Sequence, residues 1–163
     1  FFATRASRGN RDAKSMAGRR PPHLYAAVYM MLRRGNSILL SQRKGTGFMD
    51  GWYTLPAGHV RAGERLVGAV VREAEEEIGV EIDPADVNIV SVTHRRMPKR
   101  EYFDAFAHVA RWKGEPRNME QDKCSSLGFF PLDSLPPQTI DYVRKGIEAT
   151  LSGVPFSEHG WEE

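Results

Sequence analysis

The segment REAEEEIG, residues 72–79, places Glu73, Glu75, Glu76 and Glu77 close together on the chain. Like charges at helical i,i+4 spacing repel by a few tenths of a kcal/mol per pair. At 3.6 residues per turn, Glu73, Glu76 and Glu77 fall within an arc of about 100°, whereas Glu75 lies on the opposite side. Val67, Val70, Val71, Ala74 and Ile78 form an apolar stripe beside that arc, with Arg72 flanking the glutamates on the far side. A helix built this way buries one stripe and carries three carboxylates along its edge. A solvated face would usually intersperse lysine or arginine at i,i+4 to relieve the repulsion, and the trio has no internal lysine. Three oxygen donors at i, i+3 and i+4 suit a hard divalent cation such as Mg²⁺, which takes oxygen ligands and retains some waters. A solvated face is the alternative reading of the same pattern.

The elements around that helix follow from hydrophobic periodicity. LYAAVYMML (24–32) reads as a buried strand, RRGN as a hairpin turn and SILLSQR (37–43) as the returning strand. KGTGFMDGW (44–52), with three glycines, is a loop; YTLPAG is a short extended segment limited by Pro56. Glu64 precedes the helix, and Gly79 sits where a helix C-terminus favours left-handed backbone. VNIVSVTH (87–94) and EYFDAFAHVARW (101–112) read as strands joined by the solvated basic turn RRMPKR. In the second of these, Phe103, Ala105, Ala107 and Val109 alternate with Asp104, Phe106 and His108. The long loop 113–126 precedes a short strand, LGFFPL, and a second helix over 138–153 with Ile140, Val143, Ile147 and Leu151 on one face. Strands interleaved with two helices indicate a mixed sheet covered by helices.

The chain's 163 residues, 40% hydrophobic and 27% charged, match one ordinary domain with a core of its own. The expected organisation is a disordered basic tail over 1–20, a domain over 21–157 and a C-terminal tail over 158–163. The tail holds Arg5, Arg8, Arg11, Lys14, Arg19 and Arg20 against one acid, Asp12, so the alkaline balance belongs to the tail and the domain is net acidic. Met16 would make a natural start, with residues 1–15 a vector or processing remnant. Nucleic-acid binding through these arginines is not the expectation. Cys124 is the single cysteine, which excludes an internal disulfide and suits a reducing, cytoplasmic compartment. No apolar run approaches the roughly 20 residues that a membrane-spanning helix needs.

Read as one unit, GHVRAGERLVGAVVREAEEEIGV (Gly58–Val80) resembles the Nudix box, the signature of the Nudix hydrolases, over its whole length. Gly58, Glu64, Arg72, Glu73, Glu76, Glu77 and Gly79 match its fixed positions, and Ala74 is a small member of its apolar class. The resemblance implies an α/β fold of the α+β kind, an α/β/α sandwich with a mixed sheet flanked by helices. It implies hydrolysis of a phosphoanhydride bond in a nucleoside diphosphate linked to a further group, with Mg²⁺ or Mn²⁺ as cofactor. Glu73, Glu76, Glu77 and the backbone carbonyl of Ala57 would be the metal ligands. Arg72 would hold Glu73, and Glu64 would support the network or orient water. A further glutamate from outside the box is expected as ligand or base; Glu120, in the long loop, is the candidate, and Glu115 its weaker competitor.

For the substrate, Arg43 is placed to meet phosphates and Phe48 and Asn118 to meet a base, whereas Trp52 reads as a core plug and His59 and His94 as bystanders. The size of the chain resembles the MutT-like branch, which implies a small-molecule substrate, a (deoxy)nucleoside triphosphate cut to monophosphate and pyrophosphate. ADP-ribose, a nucleotide sugar or a dinucleoside polyphosphate is the alternative. A nucleotide- or RNA-binding Nudix domain without turnover is the alternative of another class, and a homodimer stays open.

Overall fold

The computed structural model describes residues 23–161. The expected disordered tail over 1–20 lies outside the described residues. The elements run β1 (Leu24–Arg34), β2 (Ser37–Arg43), β3 (Tyr53–Thr54), β4 (Ala57–His59), α1 (Leu66–Ile78), a 3₁₀ turn (Pro84–Asp86), β5 (Val87–Met97), β6 (Arg100–Val109), β7 (Cys124–Pro131), α2 (Asp141–Leu151) and β8 (Phe156–His159). β1 runs parallel to β6 along its length, and β6 pairs antiparallel with β5. At its far edge β1 pairs first with β4 and then, at Arg33 and Arg34, with β2. From there β2 splays away to pair with β3 and β7. The sheet is mixed, as expected of an α/β/α sandwich.

Its two faces are both buried, and the period-2 geometry of strands explains how. On β1, Val28, Met30 and Leu32 face α1, and Ala27, Tyr29 and Met31 face α2. β2 divides likewise, with Leu39 toward α1 and Ile38 and Leu40 toward α2. On β6, Ala105, Ala107 and Val109 belong to the first cluster and Phe106 to the second. A central strand covered on both sides has no solvent face, so Asp104, in the set that alternates with Phe103, Ala105, Ala107 and Val109, is fully buried. α2 approaches this strand closely: a Cβ at Gly146 would overlap the Phe106 ring.

Three sequence expectations are corrected here. The segment read as a tail after residue 157 is partly a strand: β8 runs parallel to β5 from Val92 to Arg95, and Trp161 donates its Nε1–H to the His94 carbonyl at 3.2 Å. The polar segment RRMPKR is mostly strand, because β5 continues to Met97 and β6 begins at Arg100. Arg95 therefore points inward and pairs with buried Asp104, as a charge taken out of water must. Trp52 is no core plug; it is more than a third exposed.

Candidate functional site

α1 carries the glutamates for the reason its sequence suggests. Ala69, Val70, Ala74 and Ile78 are buried against the sheet, and the edge of that stripe brings Glu73, Glu76 and Glu77 to one cavity of about 490 Å³. Glu75 is exposed and does not line it. The helix ends at Gly79, which takes φ 65 and passes its N–H to the Ala74 carbonyl. The first and last turns differ in how they are used. At the start no side chain caps the helix; instead Glu64 folds back and accepts the Arg61 N–H at 2.9 Å.

Arg72 ties three of the glutamates together. Its Nε and Nη2 donate to the two oxygens of Glu64 at 2.7 and 2.9 Å. Its Nη1 donates to Glu73 at 2.6 Å and to Glu76 at 3.0 Å, and Nη2 also reaches the His59 carbonyl. Such a fork satisfies several carboxylates at once in fixed geometry. These hydrogen bonds from Arg72, with the Arg61 amide, hold the Glu64 carboxyl down to about 2. Glu73 is pressed against β4: a Cβ at Gly58 would overlap its carboxylate, so the glycine is required for the close approach.

Glu77 behaves in the opposite way. Burial pushes its carboxyl up to about 8, and the negative charges of Glu73 and Glu120 push in the same direction against the hydrogen bond from Ala57. That bond, from the Ala57 N–H at 3.0 Å, ties β4 to the last turn of α1.

Glu120 is 43 positions from Glu77 in sequence, yet lines the same cavity. The loop that carries it is hung from the orphan carbonyls at the end of α1. Arg117 donates its amide to the Ile78 carbonyl at 2.9 Å and Met119 to that of Glu77 at 3.0 Å. Glu81 and Lys113 exchange backbone hydrogen bonds just beyond. Asn118, read from sequence as a substrate contact, lines neither cavity. Its amide is used inside the loop: Nδ2 donates to the Cys124 carbonyl at 2.7 Å, and Oδ1 accepts the Glu120 N–H at 3.1 Å. Glu115 pairs with Arg34 at 2.7 Å, outside the cavity.

The donor set fits a hard divalent cation in its chemistry: four carboxylates converge on one cavity, and one of them is buried without a cation of its own. Among the described residues no three acids stand close enough to hold an ion as they are. Tethered cations occupy them instead. Arg61 reaches Glu76 at 3.2 Å and Lys123 reaches Glu120 at 2.7 Å, beside the Arg72 contacts. Sequence reasoning missed Arg61 and Lys123; the i,i+3 spacing of Glu120 and Lys123 was the available signal.

Arg43 lines this cavity and a neighbouring one of about 650 Å³, and Phe48 lines the neighbour. The glycine loop that bears Phe48 is preformed. Asp50 accepts from the Thr46 and Gly47 amides, and Arg43 donates to the Phe48 carbonyl at 2.7 Å and to Thr46 Oγ1 at 2.9 Å.

The NUDIX domain family pattern matches residues 21–150. The chain is 30% identical over 124 residues to the 8-oxo-dGTP diphosphatase of Escherichia coli K12, covering 75% of this chain and 95% of that protein. It is 32% identical over 116 residues to the NAD-capped RNA hydrolase NudC of Pseudomonas aeruginosa, covering 71% of this chain and 39% of that one. The chain thus spans well under half the length of that relative. Among solved structures, a MutT NUDIX hydrolase from Burkholderia pseudomallei superposes with a TM-score of 0.71 at 27% identity, covering 77% of this chain and 97% of the other.

Proposed function

The chain belongs to the Nudix family, and from that premise we propose that it hydrolyses a phosphoanhydride bond in a nucleoside diphosphate linked to a further group. A (deoxy)nucleoside triphosphate, cut to monophosphate and pyrophosphate, is the preferred substrate. The observation that carries the reading is the convergence of Glu73, Glu76 and Glu77 of α1 with Glu120 of the loop on one cavity that Arg43 also lines. The similarity to an 8-oxo-dGTP diphosphatase over most of both chains supports a small nucleotide as substrate.

Glu73, Glu76 and Glu77, with the Ala57 carbonyl, would hold Mg²⁺ or Mn²⁺. Bound there, the ion would shield the pyrophosphate charge from the attacking water and stabilise the charge developing in the transition state. The chain's own groups do the rest. Arg72 holds Glu64, Glu73 and Glu76 in one array of ion pairs, a fork of fixed geometry. Arg43, which lines the same cavity, meets the phosphates. Water adds at one phosphorus of the α–β bridge, the bridging P–O bond breaks, and the pyrophosphate or the nucleoside monophosphate, according to which phosphorus is attacked, departs with the bond's electron pair. Glu120 is the candidate acceptor for the proton that the water gives up.

The experiment is a panel of dGTP, ATP, ADP-ribose, a nucleotide sugar and diadenosine tetraphosphate, incubated with the protein and Mg²⁺ or with EDTA. Released phosphate is measured after coupling to pyrophosphatase or phosphatase. Turnover greatest with a nucleoside triphosphate and abolished by EDTA is the expected result. Nucleotide binding without turnover under any metal would make the chain a binding domain instead.

A further inference from the structure

Arg61, Arg72 and Lys123 all sit on glutamates of the carboxylate cavity, and they are held unequally. Arg72 is mostly buried and spreads its guanidinium over three carboxylates and a carbonyl. Arg61 meets both oxygens of Glu76. Lys123 is tied least: its side chain is 57% exposed, and its Nζ makes one hydrogen bond among the described residues, to Glu120 Oε1 at 2.7 Å. An ammonium has three N–H groups, so two remain for another acceptor.

The main chain at Lys123 is fixed, so a change of partner falls to the side chain. The Lys123 and Cys124 amides both donate to the Glu120 carbonyl at 2.9 Å, and the Lys123 carbonyl accepts the Lys44 amide at 2.8 Å. A Cβ at Gly45 would stand 2.8 Å from the Asp122 carbonyl oxygen, which shows how closely the glycine loop presses on the same turn. Cys124 pairs in register with Arg43. That sets Lys123 beside the cation assigned above to the phosphates, and both line the cavity. The Lys123 charge bears on two acids. The hydrogen bond to Glu120 raises Lys123 above the ordinary lysine range, with Glu77 acting in the same direction, and Lys123 opposes the burial that pushes the Glu77 carboxyl up.

A half-exposed lysine–carboxylate pair contributes little in water, whereas an ammonium donating to phosphate makes one of the stronger hydrogen bonds. While the pair stands, Lys123 occupies an oxygen of Glu120 and sets a positive charge against any cation that approaches Glu77. We infer that Lys123 is an exchangeable counter-ion: it holds Glu120 in the protein free of metal and nucleotide, and passes to a substrate phosphate when both are bound. The inference rests on the phosphoanhydride-hydrolase reading. It gives one residue two opposite effects, against the metal and for the nucleotide.

The test uses the full chain and reads binding alone. Mn²⁺ affinity without nucleotide is measured by electron paramagnetic resonance of the free ion. Affinity for the α,β-methylene analogue of dGTP is measured calorimetrically at saturating Mn²⁺. Both are run at about 0.15 M salt, where exposed charges more than about 8 Å apart are screened. In Lys123→Met, Mn²⁺ should bind at least about threefold more tightly, the worth of an exposed ion pair that no longer competes. The analogue should bind about tenfold more weakly, the worth of one charge-assisted hydrogen bond. Lys44→Met removes the same charge from a neighbouring exposed lysine, whose Nζ reaches the Gln121 carbonyl, and should move neither affinity by more than about twofold. A damaged fold would weaken both ligands together, so the opposed shifts separate exchange from a structural role. Mn²⁺ binding that is unchanged or weaker in Lys123→Met overturns the proposal, as does undiminished affinity for the analogue. An equal response from Lys44→Met, or failure of Mn²⁺ to bind the unmodified protein, overturns it too. Where such a result accompanies Mg²⁺-dependent turnover, the hydrolase reading stands without the exchange. Opposed shifts without turnover leave the exchange standing in a nucleotide-binding domain.

Discussion

α1 and α2 cover opposite faces of one sheet by the same means, and their edges differ. α2 buries Val143, Gly146 and Ile147, and its edge carries an exposed Lys145–Asp141 pair at 3.1 Å, a contact of the sort worth little in water. α1 buries Ala69, Val70, Ala74 and Ile78 to the same end, but its charged residues stand at the border of the buried stripe. Arg72 and Glu73 keep only 16% and 12% of their side-chain surface in solvent. A carboxylate half out of water must have a partner, a shifted proton affinity or both. The apolar stripe makes each helix; the charges at its border distinguish the helix that can do chemistry.

The largest expected effect comes from replacing a carboxyl beside that border. Glu77→Gln should lower Mg²⁺-dependent product release by about 10³-fold or more while the thermal midpoint in EDTA stays level or rises. A matching loss of stability would mean that the carboxylate serves packing and would erase the distinction between the helices. Gly58→Ala attacks the same edge from β4. Its Cβ overlaps the Glu73 carboxylate, so kcat should drop by about 10²-fold, with circular dichroism of the native helices retained.

On the other face, Gly146→Ala forces a Cβ into the Phe106 ring. The urea midpoint should report about 1–3 kcal/mol of destabilisation, with turnover per folded molecule unchanged. A kcat loss as steep as that of Gly58→Ala would show that α2 is coupled to the carboxylate cavity after all.

Smaller effects sharpen the comparison. The Glu64 carboxyl, held near 2 in the folded chain against an ordinary 4.5, binds fewer protons folded than unfolded between those values. Its contribution to stability is therefore complete above about pH 4.5 and is lost as pH falls toward 2. Glu64→Gln should flatten the stability profile across that window; superimposable profiles would show that the Arg72 contact contributes nothing. Smallest of all, Glu75→Ala should leave turnover within about twofold and stability within about 0.5 kcal/mol, as an exposed position away from partners should.

The sequence made α1 legible because periodicity fixes which residues share a face. It therefore separated Glu75 from its neighbours, and the structure brings the other three to one cavity. The same logic located both helices and the principal strands. It placed Arg95 in a solvated turn and left the surroundings of Asp104 open, since alternation cannot tell a solvated face from a second buried one when helices cover both sides. It missed β8, four residues whose backbone pairing is joined by one side-chain hydrogen bond, between Ser157 and Thr93, and it gave no sign that the Asn118 amide is used inside the loop. Contacts made by loops depend on tertiary anchoring, and no local pattern announces that.

The loop that brings in Glu120 is fastened at Lys113, Arg117 and Met119 to the backbone of residues 77–81. Those bonds engage main-chain atoms, which every amino acid possesses. Residues 115–116, between the first two fastenings, can therefore change in type without loosening either. What the end of α1 supplies is an address on the main chain, at which the start of the Glu120 segment is held.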